Sequence, residues 1–215
     1  MNLLFVLLSI FTVYTEKTFK TECVVEVYAS PEIANVVVDS IIVDFRTNPE
    51  NLFSWAFNGA GKQNDKDKDA FLIDYKSTYY DPKMDYGRAI IDVIVPKVTT
   101  FKNISLEGKV VDEIGNLFVF DKNFEIDKFP LKEITIYSRH VFIDATYSGN
   151  LIKKAYGNLY IIPVSENKCV YYMDMNIRFG WFFDIFISKK VYKNTMEWRI
   201  EQYMKNLKNT AEGIK

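Results

Sequence analysis

Histidine and cysteine, which build many catalytic and metal sites, are scarce in this sequence. Its 215 residues include a single histidine, His140, and two cysteines, Cys23 and Cys169. These form neither a Cys-x-x-Cys pair nor a Cys/His cluster, so no zinc site is expected. Residues 59–62 do not have the spacing of a phosphate-binding glycine loop, and no Gly-x-Ser-x-Gly nucleophile motif is present. The sequence therefore predicts no metal, no cofactor and no motif for nucleophilic catalysis.

An excess of charge of either sign is also missing. The 27 Lys and Arg residues balance 28 Asp and Glu residues, which gives a net charge of −1 and an isoelectric point near 6.0. Proteins that hold nucleic acid usually carry an excess of clustered basic residues. Nucleic acid is therefore not an expected partner, and the sequence leaves the oligomeric state open.

Long apolar runs are confined to the N-terminus. Residues 3–14 carry no charge, and this run has the length of a signal-peptide core but is too short to span a bilayer. We therefore expect residues 1–16 to be a signal peptide, the protein to be exported to a periplasmic or extracellular space, and the mature chain to have no transmembrane helix. Because no Lys or Arg precedes the run and no small-x-small triplet follows it, a buried N-terminal strand or helix is the alternative.

Alternating apolar and polar residues occupy most of the remaining chain. Hydrophobic residues make up 48% of the sequence, which is ample for the core of one domain over 17–215. The alternation predicts β-strands at 18–29, 70–80, 87–97, 103–112, 117–121, 132–147, 154–164 and 168–179. Since Pro, Gly, Asn and Ser punctuate the gaps, we expect an antiparallel meander.

Helix-start signals occur at three places. Ser30-Pro31-Glu32 predicts a helix from 31 to about 43, although its β-branched residues would also suit a strand. Asn48-Pro49-Glu50 predicts a short helix that ends at Gly59. Ser188 can cap a long C-terminal helix, whose apolar stripe is formed by Tyr192, Met196, Ile200, Tyr203, Leu207 and Ala211.

The strand predicted at 168–179 separates two kinds of side chain. The apolar face, which we expect to be core, consists of Cys169, Tyr171, Met173, Met175, Ile177 and Phe179. The opposite face, which we expect to be wet, carries mainly Lys168, Asp174, Asn176 and Arg178. Cys23 also falls on an apolar strand face. A disulfide with Cys169 is conceivable if the first and last strands are neighbours, and two separate buried thiols are the alternative.

This order of elements resembles the helix-grip fold of the START and birch-pollen-allergen superfamily. The likeness covers about 18–213, and its best residue-level support is the segment 155–163, the Trp181-Phe182-Phe183 hinge and the helical segment 196–199. It implies an α+β fold in which an antiparallel sheet of about seven or eight strands wraps around a long C-terminal helix, with two short helices after the first strand. The resemblance also implies a cavity for a sterol, lipid, polyketide or plant hormone, and in some members cyclase, dehydratase or hydrolase chemistry. No functional residue can be transferred by a motif.

Aromatic and methionine side chains are the candidates for the lining of such a cavity. Tyr carries a polar tip into an apolar wall, and Met adapts its shape to a ligand. The candidate residues are Trp55, Phe57, Tyr75, Tyr79, Tyr171, Met173 and Met175. The alternative is that these side chains pack closely together and leave no void.

Two polar residues lie side by side in the strand predicted at 132–147. Arg139 and His140 must point to opposite faces, so only one of them can face the interior. An inward Arg139 could bind a ligand carboxylate, and an inward His140 could act as a general base. A structural or surface role is the alternative for each residue.

The function predicted from the sequence is the binding of a hydrophobic or amphipathic, lipid-like small molecule by an exported protein. One alternative is a cyclase-like or dehydratase-like enzyme that uses the same cavity, with His140 or Arg139 and a pocket tyrosine as its working groups. The other alternative is a non-enzymatic envelope or surface protein that has a filled core and binds partners through its sheet.

Overall fold

A computed structural model describes residues 17–47, 72–95, 99–115, 137–148, 152–180 and 187–213. Several of the predictions fall on residues outside these segments. They are the signal peptide at 1–16, the short helix that starts at Asn48, the strand at 117–121 and the aromatic hinge at 181–183. All four stay predictions. Within the described segments, no helix is long and apolar enough to cross a membrane.

Seven antiparallel strands form one sheet, as predicted. The strands are β1 (Thr18–Val27), β2 (Leu72–Asp81), β3 (Tyr86–Val95), β4 (Thr99–Ile114), β5 (Arg139–Ser148), β6 (Ile152–Ser165) and β7 (Lys168–Phe179). Their order across the sheet is β1-β7-β6-β5-β4-β3-β2. Strands β2 to β7 are therefore a meander, and the first strand pairs with the last.

The first helix, α1 (Pro31–Thr47), follows β1 and starts at the predicted residue. The Ser30 hydroxyl accepts a hydrogen bond from the backbone N–H of Ile33 at 3.3 Å, which satisfies one free donor of the first turn. The buried side of the helix consists of Pro31, Ala34, Val37, Val38, Ile42 and Phe45. This helical period of apolar residues outweighs the β-branched character of the segment.

The C-terminal helix begins after Ser188, whose hydroxyl accepts from the Val191 N–H at 3.2 Å. It has three parts, which are α2 (Lys189–Tyr192), a π-helical turn (Lys193–Glu197) and α3 (Trp198–Gly213). The predicted stripe is buried at Tyr192, Ile200, Leu207 and Ala211, and Met204 is buried beside it. Met196 and Tyr203 are half-buried. The stripe therefore holds the helix against the sheet.

The two faces of the sheet differ less in the burial of their side chains than the sequence suggests. The concave face carries the predicted apolar side of β7, but the convex face is not uniformly wet. Val170 and Tyr172 of β7 pack there against Ile162 and Val164 of β6, and each of the four is at most 5% exposed. The expectation of a wet face was wrong for this part of β7, because apolar Val170 and Tyr172 stand between the polar residues Lys168 and Asp174 on that face.

The two cysteines are too far apart for a disulfide. Cys23 pairs with Met173, and Cys169 pairs with Val27, so the two positions are four residues apart along the paired strands. Four residues of strand span about 13 Å, well beyond the Cα separation of a disulfide. Both side chains are free thiols.

Arg139 fastens α1 to the concave face. Its guanidinium donates to both carboxylate oxygens of Asp112 on β4, at 2.8 and 2.7 Å. It also donates to the backbone oxygen of Asn35 at 2.9 Å and pairs with Asp39 at 2.7 Å, both on α1. The side chain of Arg139 is only 4% exposed, so these bonds operate with little competition from water.

Replacement of Arg139 by leucine should therefore lower the free energy of unfolding by about 3 kcal/mol, because Asp112 then loses its bidentate partner in a poorly solvated place. Urea denaturation at neutral pH measures this loss. Arg46→Leu is the matched control, because Arg46 pairs with Asp85 at the surface, where both side chains are more than 40% exposed. The control should cost less than about 1 kcal/mol. Equal losses in the two variants would contradict the structural role of Arg139.

Candidate functional site

The interior between the sheet and the helices is packed at both ends. The end next to α1 is closed by an apolar cluster, which includes Val27, Val38, Phe45, Val110, Leu159, Tyr171, Met173, Met204 and Leu207. The end next to Ser188 is closed by a second cluster, which consists of Phe19, Ala89, Ile91, Ile104, Leu106, Ala155, Ile177, Phe179, Ile187 and Tyr192. We call them the α1-end cluster and the Ser188-end cluster.

A row of glycine and alanine residues crosses the middle of the concave face, and its Ala155 end belongs to the Ser188-end cluster. Gly87, Gly108, Ala145 and Ala155 lie opposite one another on the neighbouring strands β3, β4, β5 and β6. The ring of Phe45 lies over Gly87, where a Cβ atom would be 2.6 Å from it. A Cβ atom on Gly108 would meet only β5 among the described residues, at 3.5 Å or more. The helices therefore do not fill the space over Gly108.

The solvent exposure of the neighbouring residues agrees with this gap over Gly108. Gly108, Ile143 and Ala145 are half-buried although they point toward the helices, and so is Met175, which contacts both clusters. The core members of the two clusters are at most 8% exposed, and half-buried residues such as Ile41, Tyr80 and Phe101 pack against them. Among the described residues, the concave face is thus buried at its ends and partly accessible in the row through Gly108, and this open part is the candidate site.

Each end of the interior contains a hydroxyl hydrogen bond, in addition to the Arg139 ion pairs at the α1 end. The Thr21 and Tyr192 hydroxyls share a buried hydrogen bond of 2.7 Å, and Tyr171 donates to the backbone oxygen of Ala34 at 3.2 Å. Burial raises the pKa of Tyr171, Tyr192 and Tyr203, so all three phenols stay protonated at neutral pH. At the Ser188 end, a ligand would therefore meet apolar side chains and a neutral hydroxyl pair.

The candidate lining residues divide into three groups. Tyr171, Met173 and Met175 lie on the concave face of β7. Trp55 and Phe57 lie outside the described residues. The backbone of Tyr75 pairs with Ile91, and its side chain also lies outside the described part.

The structure places Tyr79 outside the interior. It pairs with Arg88, and its side chain is 58% exposed on the convex face. The physical reason is a β-bulge between Tyr75 and Ser77, which inserts one residue and changes the phase of the strand. Alternation counted along the sequence cannot detect such an insertion.

His140 points away from the interior, and Arg139 points toward it. The His140 ring stacks on Tyr160 on the convex face, with centroids 4.3 Å apart. Asn158 donates to the Asp174 carboxylate at 2.9 Å, which leaves its own carbonyl oxygen to accept from His140 Nε2, also at 2.9 Å. His140 Nδ1 lies 3.3 Å from Glu113. Both ring nitrogens are thus occupied in a network across β4, β5, β6 and β7.

The sequence reasoning overlooked the short side chains of the concave face. Gly108 and Ala145 were not candidates because the search was for large aromatic and polar groups. An isolated glycine inside a strand is nevertheless a signal of space or close approach. Asn158 and Asp174, which hold His140, were overlooked because they lie on other strands. Within the described segments, no group of three or more His, Cys, Asp or Glu side chains is placed to hold a metal ion.

Comparisons with solved structures identify the fold. An aromatase/cyclase from Streptomyces sp. R1128 matches with a TM-score of 0.50 and 7% identity, over 91% of this chain and 94% of the other. A conserved protein from Geobacillus kaustophilus also matches at 0.50, with 11% identity, over 90% and 95% of the two chains. The chain has a START-like helix-grip fold.

One further solved structure matches with a lower TM-score. A START superfamily protein from Mycobacterium smegmatis is 11% identical and covers 91% of this chain and 99% of its own, with a TM-score of 0.47. No protein-family model and no curated protein matches the sequence. Function must therefore be argued from the residues of the site itself.

The thiols of the concave face allow a further test of burial. Burial, assisted by Glu201, raises the pKa of Cys23 to about 11, and burial also raises the pKa of Cys169 to about 12. Since the thiolate is the reactive form, both cysteines should react slowly with a disulfide reagent in the native protein at neutral pH. The rate should rise as the pH approaches 11, first at Cys23.

Denaturation without reductant should release two rapidly reacting thiols. Thiol counting by absorbance, in native and denatured protein, measures both numbers. Rapid reaction of the native protein at neutral pH would contradict the burial of these side chains. Fewer than two thiols in denaturant would show that the cysteines are bridged.

Proposed function

We propose that the protein binds a hydrophobic or amphipathic small molecule between the concave face of the sheet and the C-terminal helix. One observation carries this proposal, which is the open middle of an otherwise packed interior. A ligand that covers accessible apolar surface lowers the free energy by about 25 cal/mol for each Å² of apolar area removed from water. A site of this shape and lining is typical of ligand-binding cavities.

The composition of the walls favours a lipid-like ligand. Ile143 and Met175 are half-buried on the concave face, and Met196 of the π-helical turn packs against the Ser188-end cluster. Methionine side chains adjust to ligands of different shape, so the site suits a flexible apolar chain. The Thr21–Tyr192 pair gives a polar group at one end that could accept or donate a hydrogen bond to such a ligand.

We prefer ligand binding to the enzyme alternative because of the positions of Arg139 and His140. A cyclase-like reaction in this cavity would need an acid or base that reaches the ligand. His140 lies on the other face of the sheet, and the guanidinium of Arg139 is held by Asp112 and Asp39. Neither side chain is therefore placed to act on a molecule over Gly108.

The proposed role includes export, for which the support is the apolar run at 3–14. The mass of the mature protein from its own source tests this part. Loss of about 16 residues would agree with signal-peptide cleavage.

A site-filling substitution tests ligand binding directly. In Ala145→Phe, a ring should occupy the space over Gly108 and weaken the binding of a neutral fluorescent probe, N-phenyl-1-naphthylamine, by at least about tenfold. Titration of probe fluorescence measures this change. Val111→Phe is the matched control, because Val111 is 49% exposed on the convex face of the neighbouring strand, and it should leave probe binding unchanged.

Circular dichroism should first show that both variants are folded. Undiminished binding in a folded Ala145→Phe protein would place the probe elsewhere. No binding by the unsubstituted protein would favour the filled-core interaction protein instead.

A further inference from the structure

The C-terminal helix turns one flank toward the edge strand β1. Lys208 Nζ donates to the backbone oxygen of Glu26 at 2.7 Å, and the carboxylate of Glu212 accepts from the N–H of Tyr28 at 2.9 Å. Glu26 belongs to β1, and Tyr28 directly follows this strand. Because β1 forms one edge of the sheet, the opposite flank of α3 faces the middle strands.

Three polar side chains lie on the flank of α3 that faces away from β1. Arg199, Tyr203 and Asn206 follow one another at spacings of four and three residues, so they form one line along the helix. With about 3.6 residues per turn, this line is on the far side of the helix from Lys208 and Glu212. Arg199 is only 9% exposed, and the other two are half-buried. We call these three residues the inner polar line.

Arg199 lies between the two apolar clusters along the C-terminal helix. Met196 packs against the Ser188-end cluster, and Tyr203 packs against the α1-end cluster. On β4, Gly108 likewise has a member of the Ser188-end cluster two residues before it and a member of the α1-end cluster two residues after it. Arg199 is therefore at the level of the candidate site and on the flank of the helix that faces it.

The inner polar line offers hydrogen-bond donors that suit an anionic group. A guanidinium group has five N–H donors in a planar fork, so it can hold a carboxylate through two parallel hydrogen bonds and also serve a partner within the protein. Burial raises the pKa of Tyr203, so its hydroxyl stays protonated and can donate. The side-chain amide of Asn206 adds two more donors.

We propose that the ligand is an amphipathic carboxylate, whose head group binds to Arg199 of the inner polar line and whose apolar chain covers the row through Gly108. This inference rests on the proposed function, because it names the class of molecule that the same site takes. Hydrogen bonds to a charged group typically contribute a factor of about ten or more in affinity. An uncharged ligand with the same chain lacks this contribution, so the head group should decide the affinity.

Displacement of the neutral probe N-phenyl-1-naphthylamine by amphiphiles of equal chain length tests the head group. Dodecanoate, dodecanol and dodecyltrimethylammonium are compared at about pH 8, where the carboxylic acid is ionised, and below the concentrations at which they form micelles. Dodecanoate should displace the probe at a concentration at least about tenfold lower than dodecanol, and the cation should be the weakest of the three. Equal displacement by the acid and the alcohol, or a preference for the cation, would overturn the proposal.

Removal of the guanidinium group locates the head-group site. Arg199→Met keeps an apolar side chain of similar length, so the probe should still bind while the preference for dodecanoate disappears. Lys205→Met is the matched control, because Lys205 is exposed on another side of the same helix and the two variants have the same net charge. It should keep the preference. Equal losses in the two variants would show that net charge, and not Arg199, selects the head group.

A second variant keeps the test decisive if Arg199→Met does not fold. Arg199→Lys retains the charge but loses the planar fork, so the preference for dodecanoate should fall without disappearing. A folded Arg199→Lys protein with the full preference would contradict the assignment to Arg199. If the probe binds to the unsubstituted protein without any preference among the head groups, the carboxylate is wrong but the ligand site stands. If neither the probe nor dodecanoate binds, the ligand site itself is wrong.

Discussion

The first strand pairs with the last along ten residues, from Thr18 opposite Arg178 to Val27 opposite Cys169, and most of the structure depends on this pairing. It closes one side of the sheet and presents β1 to the C-terminal helix, which packs mainly on β1, β7 and α1. Hydrogen bonds fix the far end of the helix, because Lys208 donates to the backbone oxygen of Glu26 at 2.7 Å and Glu212 accepts from the N–H of Tyr28 at 2.9 Å.

The first helix lies over the α1 end of β4 and β5, where Arg139 holds it, but among the described residues no helix atom comes within 4 Å of the Cβ position of Gly108. The short side chains of Gly108 and Ala145 then become the floor of an accessible space rather than a site of close helix packing. The buried guanidinium of Arg139 is held between Asp112 and Asp39, so it keeps α1 in place and is not free for a ligand. These charged groups are thus paired at the α1 end, away from the row through Gly108.

Local patterns were sufficient for most of the fold. Strand alternation, the Ser30 and Ser188 caps and the helical stripe correctly predict the order of the described elements, because each depends only on neighbours in sequence. The bulge before Ser77 could not be predicted, since it depends on pairing with β3, and it moved Tyr79 to the convex face. The partners of His140 and Arg139 lie on other strands and on α1, so their roles depend on tertiary structure that the sequence pattern does not contain.

Native mass spectrometry of the protein, purified from its own source under gentle conditions, tests the central claim most directly. If the interior holds a hydrophobic or amphipathic ligand, the spectrum should show the protein together with a bound species of added mass, released on collisional activation and extractable into organic solvent. A spectrum that contains only the bare chain, from protein that also fails to take up added lipid, would contradict the account.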